Sequence, residues 1–173
     1  MKIVSRSLLL LFFVACNSPQ AVYDYDESVN FSNYSQYALF PDFRTGLSQL
    51  DETRLVESLN EQMREKGFSK SNDPGIYVNV YSQEFQRDNR SRVGLGVGGG
   101  GGNVGVGVSG GIPIGSMDTY LNLTFDFIDV EKDVLVWKAE VESPFNPKAE
   151  PQQRREQFDK IVEKALSGYP PKK

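Results

Sequence analysis

The fold turns on Thr119-Tyr-Leu-Asn-Leu-Thr-Phe-Asp-Phe-Ile128, followed by the polar stretch Asp129 to Asp133 and by Val134-Leu-Val-Trp-Lys-Ala-Glu-Val141. Leu121, Leu123, Phe125 and Phe127 alternate with Tyr120, Asn122, Thr124 and Asp126. Successive side chains of a strand point to opposite faces, so this alternation predicts an antiparallel sheet with one covered face and one wet face. The polar stretch turns the chain back, and Leu135, Trp137, Ala139 and Val141 then share a face on the return, predicting a hairpin. Trp137 is expected beneath a helix.

Working outward, Ile76, Val78 and Val80 alternate with Tyr77, Asn79 and Tyr81 in a third strand running to Phe85. Ala21-Val-Tyr-Asp-Tyr-Asp26 reads as the first strand and Tyr37-Ala-Leu-Phe40, ended by Pro41, as the second. Leu55, Val56, Leu59 and Met63 recur at helical spacing between Asp51 and Lys66, with Ser48 or Asp51 as cap and Gly67 placed to close the helix. A second helix opens at Pro151 and carries Phe158, Ile161, Val162, Ala165 and Leu166 on one stripe before Gly168 and Pro170 stop it. One-faced helices and one-faced strands must cover each other. The expected architecture is therefore α+β in two layers: an antiparallel sheet of about five strands with two helices packed on one face, forming a single domain over residues 21–171.

A Gly-rich insert interrupts that domain at residues 94–115, where twelve of twenty-two residues are glycine. Gly94-Leu-Gly96-Val-Gly98-Gly99 matches a dinucleotide fingerprint formally, but that site needs a helix opening at its end, and Ile112-Pro-Ile114 and a strand follow instead. No Gly-Lys-Ser/Thr occurs, so the phosphate-loop pattern fails too. Two readings stand. The insert is either a loop between paired strands or a thin hairpin arm in which Val97, Val104, Val106 and Val108 alternate with glycine. Such an arm would pair with a partner strand or lie on a membrane. Arg87, Arg90 and Arg92 at its base could meet phosphates.

At the N-terminus, Lys2 and Arg6 precede the apolar run Leu8 to Val14, which ends at Ala15-Cys16. The run is shorter than the ~20 residues a spanning helix needs and fits a secretory signal. Val14-Ala15-Cys16 fits a lipoprotein cleavage site, although Phe13 stands where leucine is usual. The expectation is a signal peptide over residues 1–15, a lipidated tether over 16–20 and acylation of Cys16, the sole cysteine. Several acyl chains, at ~0.8 kcal/mol per buried methylene, would make the anchor permanent. Asn17 after the cysteine, rather than aspartate, favours the outer membrane with the domain facing the periplasm. The expected partners are the membrane and an envelope protein.

Removing Lys2 and Arg6 with the signal moves the formal charge from −4 to −6. An acidic surface argues against nucleic acid. The chain has no histidine, the commonest general base and zinc ligand. Its acids gather at Asp24, Asp26 and Glu27 and at Asp126, Asp129, Glu131 and Asp133, without the glycine-bent loop of a calcium site. No cofactor or metal is expected, and the leading expectation is a non-enzymatic binding or structural role. The alternative is an envelope hydrolase that uses two carboxylates on glycan or peptide.

Several stretches together resemble a family: Tyr23-Asp-Tyr-Asp26, Val29-Asn-Phe-Ser32, Tyr34-Ser-Gln-Tyr-Ala38, Lys66-Gly-Phe68, Asp73-Pro-Gly-Ile-Tyr-Val78 and Phe127-Ile-Asp-Val-Glu-Lys-Asp-Val-Leu-Val-Trp137. They are similar, in this order, to the lipoproteins of domain-of-unknown-function family 4136, over about Val22 to Pro171. In that family a Gly-rich stretch also precedes the penultimate strand, and a tryptophan closes the hairpin as Trp137 does. The resemblance implies a lipid-anchored envelope domain and carries over no catalytic residue.

Overall fold

In chain order the elements are β1 (Gln20–Tyr25), β2 (Gln36–Leu39), α1 (Gln49–Glu65), β3 (Ser69–Lys70), β4 (Ile76–Asp88), β5 (Ser91–Val93), β6 (Ile112–Ile114), β7 (Met117–Asp129), β8 (Val134–Pro144) and α2 (Pro151–Leu166). They belong to a computed structural model that describes residues 18–88, 91–93, 112–114 and 117–172. Six strands form one sheet in the order β1-β8-β7-β4-β2-β3, and β5 pairs with β6 in a separate ladder. β1, β8, β7 and β4 are antiparallel neighbours, whereas β2 runs parallel to both β4 and β3.

The fold is thus α+β, but the expected sheet is corrected in two respects: it has six strands rather than about five, and it is mixed rather than antiparallel. β3, two residues long, is too short to carry a periodic signal. β2 lies parallel to β4 because α1 intervenes between them, and a chain that crosses over through a helix re-enters the sheet in its original direction.

Each helix is bounded by local chemistry. Ser48 caps α1: its hydroxyl accepts from the Asp51 N–H, while Gly67 beyond the other end adopts φ +86°, the left-handed conformation that glycine tolerates best. Glu150 and Gln153 form a reciprocal capping box at the start of α2, with Pro151 in its first turn.

The buried face of the sheet is built in rows. Tyr25, Trp137, Phe127 and Val78 lie opposite one another across β1, β8, β7 and β4, and Tyr23, Ala139, Phe125 and Val80 form the next row. Leu55, Leu59 and Met63 of α1 and Phe158, Ile161 and Val162 of α2 are buried against this face. Trp137 is fully buried, with its ring centroid 4.7 Å from Phe127, 5.4 Å from Tyr169 and 6.2 Å from Tyr23. The Tyr23 hydroxyl donates to the Lys164 carbonyl at 2.6 Å, so Trp137 lies beneath the end of α2. Leu135 departs from its expected face. The register shifts between Phe127 and Ile128, leaving Trp137 opposite Phe127 but Leu135 opposite Ile128. Val136, the unmatched residue, is buried in its stead and Leu135 is exposed.

Candidate functional site

Two of the larger clefts among the described residues open at opposite ends of the sheet, and the face away from the helices lies between them. The first cleft, about 690 Å³, sits where β8 ends and β7 begins, and Pro19, Met117, Tyr120, Phe145, Gln157 and Lys160 are among its lining. Gln157 of α2 donates to the Pro144 carbonyl and Phe145 N–H to the Thr119 carbonyl at 2.7 Å, closing the loop before α2 onto β7. Beside this cleft Phe85 and Tyr120, opposite each other in the β4–β7 ladder, stack at 5.8 Å. The Arg87 guanidinium lies 4.5 Å from the Tyr120 ring centroid and pairs with Glu142 at 3.0 Å. An arginine on an aromatic face keeps its charge wet while its stem and the rings cover apolar surface.

The second cleft, about 790 Å³, is framed by the Asn30–Tyr34 segment, Asp73 to Gly75 and the β7–β8 turn. Here the Tyr34 hydroxyl donates to Asp129 Oδ2 at 2.5 Å, and the Lys132 N–H donates to Oδ1 at 2.9 Å. Burial pushes the Asp129 carboxyl up, but these hydrogen bonds outweigh it and hold the group below its ordinary value. Burial and Asp129 together push the Tyr34 phenol up. A carboxylate held ionised against a phenol held protonated is a structural latch, with no proton to exchange near neutrality.

The two acidic groups of the sequence do not assemble into a site. Asp26 accepts from the Ser28 N–H and hydroxyl within its own turn, and Asp24 Oδ1 accepts from the Tyr25 N–H. Asp126 lies on the open face, away from Asp129. Burial raises its pKa, Lys138 opposes this and Glu140 adds to it. No group of three or more acids or cysteines among the described residues is placed to hold a metal ion. The most buried charged cluster joins the two helices: Asp51, 2 % exposed, pairs with Arg54 at 2.7 Å and with Arg154 of α2 through both guanidinium and carboxylate forks.

Of the residues singled out by sequence, Arg87 is placed in the aromatic stack and Arg92 only by its backbone, in β5. Cys16, Arg90, Val97, Val104, Val106 and Val108 lie outside the described residues. The insert's base is a ladder, with Ser91 opposite Ile114 and Val93 opposite Ile112. Sequence reading missed Phe85 and Tyr120 as Arg87's partners, because their meeting depends on the β4–β7 register. It also missed the Asp51–Arg154 pair, for which only a helical charge at an otherwise apolar stripe could have been a signal.

A mixed sheet with its free face bearing polar and aromatic groups, and a one-sided pair of helices, defines a small α+β domain. The family profile described as a domain of unknown function (DUF4136) matches residues 21–171, and the chain belongs to that family. Two solved structures share the fold. A PDZ domain protein from Parabacteroides distasonis is 12% identical with a TM-score of 0.51, covering 90% of this chain and 37% of its own. The chain thus spans little more than a third of that protein. A dodecameric PelC variant from Paraburkholderia phytofirmans is 13% identical with a TM-score of 0.50, covering 86% of this chain and 96% of its own. No curated protein matches in sequence.

Proposed function

We propose that this chain is a lipid-anchored lipoprotein of the Gram-negative cell envelope, held at the outer membrane through Cys16, whose periplasm-facing domain has a binding or structural role and no catalytic one. The observation that carries this reading is the N-terminal sequence: a basic start, a short apolar run and Val14-Ala15-Cys16, four residues ahead of β1. No described helix is long and apolar enough to cross a membrane, so attachment on this reading rests on the acylated cysteine. The acids also support a non-catalytic role. Asp51 and Asp129 are committed to structural partners.

The test is metabolic labelling with a clickable fatty acid in wild type and Cys16→Ser. Label in the wild type alone, with the protein recovered in outer-membrane fractions, is the expected outcome; equal labelling of both would overturn the anchor. A hydrolytic activity on glycan or peptide that disappears in Asp126→Asn would overturn the non-catalytic role.

A further inference from the structure

We propose that the end of the sheet where β4 finishes and β7 begins is a membrane-contact surface, laid on the lipid headgroup layer by the same tether that anchors the chain. The inference rests on the lipid anchor proposed above and adds an orientation to it. Gln20, the first residue of β1, lies in one row with Glu142, Asn122 and Gln83. From that row β4 continues to Asp88 and β7 reaches back to Met117, five residues further toward the side from which the tether enters. β8 flanks β7 as far as Tyr120, so the arm is two-stranded only over its last three positions; at ~3.3 Å per residue its tip lies roughly 17 Å past Gln20. The chain from Cys16 to Gln20 spans at most about 14 Å even when fully extended.

The tether is therefore too short to hold the domain clear of the bilayer with the arm pointing at it. Pro19, itself buried, lines the same cleft as Met117 and Tyr120, which keeps the tether beside the arm. With the cysteine at the lipid interface, the arm must reach the headgroups or lie along them.

The arm's chemistry suits that layer. Met117 is 52% exposed, Phe85 and Tyr120 present a stacked aromatic pair, and Arg87 lies across them with its side chain 46% exposed. Aromatic rings with a polar edge and long cationic side chains prefer the boundary between hydrocarbon and water. Among the described side chains, Glu84, Asp88, Asp118, Glu142 and Glu156 share this end with Arg87 and Lys160, so these carry no excess of positive charge. The occupant is a bilayer interface engaged through aromatic and apolar contact, and anionic lipid should add little to the contact.

The test uses the full lipidated protein reconstituted in phosphatidylethanolamine vesicles with a little phosphatidylglycerol. An environment-sensitive fluorophore is attached in Met117→Cys and, as the control at the far end of the sheet, in Asp73→Cys. The expected result is a blue shift and loss of most intensity to headgroup-labelled quencher lipids at position 117, neither at position 73, and no change when phosphatidylglycerol is raised. Equal or reversed quenching in protein that floats with the vesicles overturns the orientation while leaving the anchor standing. A Met117 signal that grows with phosphatidylglycerol overturns the aromatic basis of the contact. Wild-type protein that neither takes up fatty acid nor floats overturns the anchor and the orientation together.

Discussion

The two faces of the same sheet solve opposite problems. On the helix side Phe125, Phe127, Trp137, Ala139, Val78 and Val80 are fully buried and the side chains interlock by shape. On the open side Asn79, Tyr81, Asn122, Thr124, Asp126, Lys138 and Glu140 lie in the same strands one residue out of step. The contrast teaches that strand periodicity assigns each residue its task before any particular contact is made. It also predicts that equal-sized changes one residue apart will have effects of different size and, for charges, of different sign.

The largest effect is expected at Trp137. Truncating a large buried aromatic costs ~3–5 kcal/mol, against a total of ~5–15 for a domain. Trp137→Ala should therefore lose a large part of its denaturant midpoint. The indole Nε1 is enclosed without a hydrogen-bond partner among the described residues. Trp137→Phe, which removes that donor and keeps a ring against Phe127 and Tyr169, should lose much less. Equal losses in the two variants would mean that ring packing is not what this site contributes.

Next in size is the charged contact within the helix layer. Asp51 is almost wholly buried, and Arg154, also 4.9 Å from the Phe145 ring centroid, is its partner from the other helix. Removing one member of a buried pair typically costs ~3–5 kcal/mol, because the other is left uncompensated. Arg54 and Ser48 still reach Asp51, so Arg154→Ala should lose about half of that, ~2 kcal/mol, by urea denaturation. An unchanged midpoint would show that Arg54 and Ser48 alone satisfy Asp51.

How much of this was legible in the sequence follows the same division. Period-two alternation gave the strand faces at β4, β7 and β8, and helical stripes gave α1 and α2, because burial of one face is a local pattern. Parallel pairing of β2 with β4 was not legible as such; it follows from where the chain crosses over, which no residue encodes by itself. The Leu135–Val136 exchange was hidden because a one-residue register shift changes faces without changing composition. Arg87 was found by charge alone, and its aromatic partners sit more than thirty residues away in the chain or on the strand's own polar side. The stretch Val14-Ala15-Cys16, on which the proposed anchor rests, is the reverse case, a pattern that is wholly local.

The smallest effect, and the one that discriminates best between the two faces, concerns two acids three residues apart in β7. Asp129, toward the covered side, has its carboxyl lowered by Tyr34 and Lys132 against the pull of burial. The native state therefore binds its proton less tightly than the unfolded chain. Its stabilisation is present above the ordinary value of 3.8 and is lost as pH falls through the depressed native value. Asp126, on the open side, is raised by burial, so its sign is opposite. Ionising it costs the native state stability, a cost absent in acid, where both states are protonated, and complete once pH has risen through the elevated native value. Asp129→Asn should thus lower the melting temperature at neutral pH, whereas Asp126→Asn should raise it modestly, and both differences should shrink on acidification to about pH 3. Melting curves of the two variants and wild type across pH would read this directly. If Asp126→Asn melts at or below wild type near neutrality, the carboxylate is held by Lys138 more strongly than burial opposes it, and the open face would be using charge pairs as the covered side does.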